Sequence, residues 1–177
     1  MIQDVKNYRY ERKYLIDNPA FDSINSLRCF LPSDIYEAFP TRKVNSIYYD
    51  TNDLVLANQT KEGFANRFKV RIRYYGDSYS FDYPYLEIKS KVGNVGKKYK
   101  LKIDYKKLAK NNFSLSYLLN DSQIPNFVND LIIFLKPIVF ISYIRSYYLE
   151  KFDSFRFTFD KCLTFNKIQE TNQYFPS

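Results

Sequence analysis

The amino-acid sequence predicts an α+β fold: an antiparallel β-barrel, or a strongly curved sheet, with short flanking helices. Three observations point there. Tyr and Phe are abundant, at eighteen and sixteen residues, and both fit pleated surfaces. Segment after segment alternates apolar and polar residues with the period of a strand. Between several of these segments lie short stretches with helical spacing and local start or stop signals.

In chain order, the first strand is expected at 8–16, in "YRYERKYLI". A helix follows from 19 to about 30, with Pro19 in its first turn. A strand at 44–49 leads into a short helix at 53–58, and 67–75 alternates strictly as "RFKVRIRYY". The loop around Ser80 leads to a strand at 83–91, and "VGNVG" around Asn94 reads as a hairpin turn into a strand at 97–103. Asp104 is placed to cap a turn beginning "YKKLAK", and Asn111 or Asn112 precedes another short helix. Residues 122–136 read as a helix with Ile124, Phe127, Val128, Leu131 and Ile132 on one face and Pro137 ending it. Strands at 141–151 and 155–160 complete the set.

With 177 residues and no repeat or linker, the chain suits one domain spanning 1–177. The formal charge of +8 points to a polyanionic partner: nucleic acid, an anionic membrane or phosphate compounds. Histidine is absent, which removes Ser-His-Asp and Cys-His chemistry, His-ligated zinc and His general bases. Four glycines argue against a Gly-rich phosphate loop. Cys29 and Cys162 have no metal-like spacing and are expected as reduced core residues of a cytosolic protein. The first residues are polar and charged, unlike a signal peptide. The most apolar run, "LIIFLKPIVFI" at 131–141, is too short to span a bilayer and is broken by Lys136 and Pro137. A soluble, cytoplasmic chain is expected.

The sharpest signal is the sign of charge on particular strand faces. Every second side chain of a strand shares a side. Arg67, Lys69, Arg71 and Arg73 therefore lie together, backed by Phe68, Val70, Ile72 and Tyr74. Arg9, Glu11 and Lys13 are in phase, as are Tyr85, Glu87, Lys89 and Lys91, then Lys98, Lys100 and Lys102. Later, Tyr143 is in phase with Arg145, and Arg156 with Thr158 and Asp160. These rows hold thirteen cations against Glu11, Glu87 and Asp160, whereas the remaining fourteen cations and sixteen acids nearly cancel. The plain alternative is a solvated face, but such faces mix signs because like charges opposite one another destabilise a sheet. A unit charge at about 4 Å contributes roughly 4 kcal/mol at a surface-like dielectric, so the rows call for a counter-anion. Glu11 and Glu87 are either ion-paired within the array or ligands of a divalent cation, for which carboxylate oxygens suit Mg²⁺ or Mn²⁺.

The segments "YRYERKYLI", "VNSIYYDT", "NRFKVRIRYYG", "YLEIKSKVGNVGKKYKLKI", "YIRSYY" and "FRFTFD" occur in the order of the VTC domain. Over about residues 6–165 the chain resembles this polyphosphate polymerase domain of the triphosphate tunnel metalloenzymes, relatives of the CYTH proteins. The resemblance implies an antiparallel barrel enclosing a basic tunnel. It implies that Lys13, Arg71, Arg73, Lys89, Lys98, Arg145 and Arg156 contact phosphates, with Tyr143 just before the tunnel arginine. Lys13, Arg71, Arg73, Lys89, Arg145 and Arg156 form the expected catalytic set, and Lys91 and Lys100 join the phosphate-binding set from the charged faces. Glu11 and Glu87 are the candidates for Mn²⁺ or Mg²⁺. Ser46, Tyr48 and Asp50 match an "S-x-Y-x-D-T" strand and are expected to be structural.

The chain departs from the family in two places. The superfamily opens with Glu-x-Glu-x-Lys, and here Arg9-x-Glu11-x-Lys13 replaces one carboxylate. The family also adds a C-terminal strand with a metal-linked Glu, which "FNKIQETNQYFPS" does not supply, so a domain missing that strand is expected.

The implied activity is transfer of the ATP γ-phosphoryl group to inorganic polyphosphate, releasing ADP. Phosphoryl transfer suits a site without histidine, because it rests on positioning and electrostatic stabilisation. Two alternatives share the fold: a tripolyphosphatase or nucleoside triphosphatase, and a non-catalytic polyphosphate binder. A single-stranded nucleic-acid binder would need aromatics on the basic face. Most alternate away from it, Tyr85 and Tyr143 excepted, and nucleic acid is disfavoured. Relatives can attach to membrane partners, although this chain shows no spanning segment.

Overall fold

The computed structural model describes residues 11–17, 24–28, 31, 33–77, 83–93, 95–152 and 155–168. Six strands form one antiparallel sheet: β1 (Ile35–Asp50), β2 (Asn66–Tyr75), β3 (Tyr85–Val92), β4 (Val95–Lys102), β5 (Lys136–Glu150) and β6 (Arg156–Lys167). Their spatial order is β4-β3-β2-β1-β5-β6. Four short helices, α1 (Ile24–Leu27), α2 (Val55–Lys61), α3 (Tyr105–Lys110) and α4 (Asn126–Ile132), and a 3₁₀ turn at Ser116–Leu118 complete the α+β architecture. No helix among the described residues is long and apolar enough to cross a membrane.

Strand parity divides the sheet into two chemically different faces. Ile47 and Tyr49 of β1, Val70, Ile72 and Tyr74 of β2, and Leu86 and Ile88 of β3 all point one way. They form the core with Leu56 of α2, Leu108 of α3, Leu118 of the 3₁₀ turn, and Val128 and Ile132 of α4. The helices thus cover the apolar face, and each fully buried large side chain contributes roughly 1.5–3 kcal/mol. Tyr49 reaches into this layer and donates its hydroxyl to the Phe113 carbonyl at 2.8 Å, so its polar end is satisfied.

Two aspartates fasten helices to the sheet. Asp50, at the end of β1, accepts hydrogen bonds from the backbone of Thr51, Leu56 and Ala57, the last two in α2. This supports the structural role expected for it. Asp104 caps α3 as expected, accepting from Lys106 and Lys107. At the β3–β4 hairpin Val92 pairs with Val95, and Gly93 has φ +58°, a conformation costly for other residues.

Several boundaries differ from expectation. The strand expected at 44–49 extends back to Ile35, because β5 pairs with that stretch through two register irregularities. The helix expected to run to 136 ends at Ile132. Lys136 and Pro137 instead open β5, opposite Asp50 and Tyr49, and the adjoining register shift accommodates a residue with no N–H to donate. The first expected strand is not formed in its described part. Residues 8–10 lie outside the described residues, and 11–17 is exposed and outside any strand. The sheet is accordingly open among the described residues, with β4 and β6 as its edges. Cys29 lies outside the described residues. Cys162 is exposed, contrary to its expected place in the core, because it falls where the β5–β6 register shifts and its φ is +51°.

Candidate functional site

The second face of the sheet carries the charge. Antiparallel register sets Tyr48 beside Arg71, Arg71 beside Glu87, and Glu87 beside Lys100. The next row is Ser46, Arg73, Tyr85 and Lys102, and the row on the other side is Lys69, Lys89 and Lys98. Across β1, Val44 lies opposite Tyr143 and Arg42 opposite Arg145. The same alternation that sends Val70, Ile72 and Leu86 into the core turns these residues outward together. Arg71 and Glu87 are only 8% and 3% exposed, so the face is recessed where they sit.

Arg71 organises the centre. Its Nε and Nη2 donate to Oε2 of Glu87 at 3.0 and 2.7 Å, and its Nη1 donates to the Tyr48 hydroxyl at 2.8 Å. Lys98 Nζ takes the other oxygen of Glu87 at 2.6 Å. Burial alone would raise the Glu87 carboxyl, but hydrogen bonds from Lys98 and Arg71, with their charges, outweigh it and hold the pKa at about 2. Arg73 differs in kind. Its Nε donates to Ser46 Oγ at 3.3 Å and its Nη2 to the Tyr143 hydroxyl at 3.1 Å, both neutral acceptors. Lys89 is crowded by cations: partial desolvation first, then Arg71 and Lys98, push its pKa below the usual lysine range. Neither Arg73 nor Lys89 forms an ion pair among the described residues. Around one carboxylate, then, stand Arg71, Arg73, Lys89 and Lys98, an excess of positive charge in a recess.

Tyr143 is buried, and desolvation raises its pKa although Arg73 and Arg145 pull it down. Arg145 gives Nε and Nη2 to the two oxygens of Asp160 at 2.6 and 2.7 Å, which raises its own pKa. Lys91 shares the basic face farther from the centre, opposite Arg67, whereas Lys100 lies beside Glu87 with its Nζ 3.7 Å above the Tyr85 ring. Arg156 is exposed at the start of β6, opposite Leu149. Lys13 and Glu11 are exposed and pair with each other at 3.6 Å, outside the sheet.

Glu11 and Glu87 are therefore not brought together, and both oxygens of Glu87 already accept from cations. No group of three or more metal-ligating side chains occurs among the described residues. This donor set does not fit a divalent cation held by the protein's own carboxylates.

Sequence parity missed several participants. Ser46 and Tyr48 orient Arg73 and Arg71, where a structural role in the strand was expected. Arg42 lies on the same face, stacked over the rings of Tyr75 at 4.1 Å and Tyr147 at 4.9 Å. It precedes the strand start that the sequence predicts at Val44. Tyr85 and Tyr143 share the basic face as expected, and Tyr48, Tyr75 and Tyr147 join them there.

A family model described as the VTC domain matches residues 8–175 of the chain. No curated protein matches it.

Proposed function

The chain belongs to the VTC domain family, and we propose that its basic face binds a run of phosphates and passes the γ-phosphoryl group of ATP to inorganic polyphosphate. The observation that carries this reading is the imbalance at the centre: Arg73 and Lys89 have no acidic partner among the described residues, while Arg71 and Lys98 share Glu87. A recessed cluster of this kind is relieved by a polyanion. Family membership supports phosphate chains as that polyanion.

In the proposed reaction a terminal oxygen of the polyphosphate chain forms a bond to the γ-phosphorus of ATP. The bond from that phosphorus to the β-phosphate oxygen breaks, and ADP leaves with the electron pair. Negative charge spreads over the equatorial oxygens in transit, where fixed cations act without reorganising. Arg73, held by Ser46 and Tyr143, presents a planar fork suited to two phosphate oxygens. Lys89 and Lys98 supply point charges, and Glu87 fixes the Arg71 guanidinium. Glu11 and Glu87 would not hold Mn²⁺ or Mg²⁺ as they are placed, and a bound ion would supply only further neutralisation of phosphate charge. Closure of the sheet into a barrel by the segment at 11–16 would bring Lys13 and Glu11 towards this face, with Arg145 and Arg156 along its far side.

Incubation with ATP and Mn²⁺, followed by gel analysis, tests the proposal. Growth of phosphate chains with matching release of ADP is expected. Orthophosphate without longer chains would assign hydrolysis instead. One observation favours a second reading, a non-catalytic polyphosphate binder: the carboxylates nominated for the metal are apart, and Glu87 is already engaged. Tight polyphosphate binding with no consumption of ATP would establish that alternative.

A further inference from the structure

We propose that Arg42, with Tyr75 and Tyr147, forms an additional anion station that grips inorganic polyphosphate beyond the reach of a triphosphate held at Arg71. The proposal rests on the reading of this face as phosphate-binding and extends it to the length of chain preferred.

Arg42 is an exposed cation fixed in one orientation. Its guanidinium lies 4.1 Å from the Tyr75 ring centre and 4.9 Å from that of Tyr147, and its Nε donates to the Tyr147 hydroxyl at 3.1 Å. Its cross-strand neighbour is another cation, Arg145, which already gives two donors to Asp160. Of the two facing arginines, only Arg145 has a carboxylate partner among the described residues. No hydrogen bond or ion pair among the described residues uses the two terminal nitrogens of Arg42. A stacked, preoriented guanidinium with both terminal nitrogens open is suited to two phosphate oxygens.

The contact repeats a pattern. Arg71 donates to the Tyr48 hydroxyl and Arg73 to that of Tyr143, as Arg42 does to that of Tyr147. In each pair the phenol oxygen accepts, which leaves its own O–H to donate to a passing anion. Arg42 lies six residues from Tyr48, the partner of Arg71, on the same face, or about 20 Å along the strand, and Arg73 stands between them with its guanidinium on Tyr143, opposite Val44. A triphosphate anchored at Arg71 falls well short of it, whereas a polymer reaches both. A nucleobase is a poorer occupant, because Arg42 already covers the ring faces on which a base would stack.

The test compares tripolyphosphate with long-chain polyphosphate, measuring affinity against salt concentration for the wild type, Arg42→Gln, Arg42→Lys and Arg73→Ala. Arg42→Gln is expected to weaken the long chain about tenfold. It should also lower the slope of log affinity against log salt by about one, with tripolyphosphate unchanged. Arg42→Lys keeps the charge without the stacked fork, so it should retain the slope but lose part of the affinity, and it serves if the Gln variant misfolds. Arg73→Ala should weaken both ligands. Equal affinities of wild type and Arg42→Gln for the long chain, with Arg73→Ala weakened, would remove the station and leave the phosphate-binding face intact. An Arg42→Gln variant weakened equally for both ligands would also remove it. If Arg73→Ala changes neither ligand, the underlying reading falls as well.

Discussion

Arg71 aims two N–H groups at a single oxygen of Glu87, at 3.0 and 2.7 Å, inside a recess that leaves the two residues 8% and 3% exposed. With Lys98 on the second oxygen, the pair ties β2, β3 and β4 together across their charged side. Removing one partner of such a buried pair costs more than making the pair returns, because the survivor stays charged and desolvated.

Glu87→Gln is therefore expected to destabilise the fold by roughly 3 kcal/mol at neutral pH. The effect should depend on acid. The carboxyl has a folded pKa of about 2 against an ordinary 4.5, a depressed value, so its contribution is complete above about 4.5 and disappears as pH falls towards 2. Denaturant unfolding of both proteins across that window measures this. A wild-type advantage that stays constant down to pH 2 would contradict the ion-pair account.

Arg73→Ala is expected to lower polyphosphate affinity at least tenfold while changing stability by about 1 kcal/mol or less, since it removes only bonds to Ser46 and Tyr143. Arg71→Ala should lose both binding and some 3–5 kcal/mol of stability, because Glu87 is left with Lys98 alone. Titration calorimetry paired with thermal unfolding separates the two. Equal destabilisation by both substitutions would refute the difference in their surroundings.

Lys89 sets a pH limit on binding. Its pKa is lowered by desolvation and by Arg71 and Lys98, and a bound polyanion favours its charged form. Affinity should be greatest below that lowered pKa and fall as pH rises through it, earlier than for an ordinary lysine. In Lys89→Arg the fall should shift to higher pH. A long phosphate chain is the right probe, since few of its groups are titrating ends. Identical profiles for the two proteins would exclude Lys89 as the group responsible.

Asp50→Ala should cost about 2 kcal/mol, at the upper end for a lost helix cap, because three backbone N–H groups around the start of α2 lose their acceptor. Anion affinity of the folded fraction should be unchanged. A variant of wild-type stability would mean that water replaces the carboxylate without loss.

Much of this was legible from strand parity. Arg71, Arg73, Glu87, Lys89 and Lys98 fall on one face because β2, β3 and β4 alternate cleanly and pair through short connections. Parity gives a side, however, and not a partner. That Tyr143 accepts from Arg73, seventy positions earlier in the chain, depends on β5 crossing to pair with β1. The first half of β1 was hidden for a related reason. Its alternation is interrupted around Pro40, and it is a strand because β5 pairs with it through irregular register. Arg42 was lost with that boundary. The segment at 11–17 shows the converse: a promising local pattern forms no strand among the described residues, because no neighbour pairs with it there.

The middle of β1 interleaves two incompatible surfaces at single-residue spacing: Ser46 and Tyr48 face the arginines, while Ile47 and Tyr49 pack into the core beneath the helices. Deleting one residue between Val44 and Tyr49 would turn this stretch inside out, presenting Ile47 to the guanidinium groups and pressing polar atoms into oil. Gene-level length changes there should be far less tolerable than most point replacements, even though the stretch contains none of the lysines or arginines on which the chemistry depends.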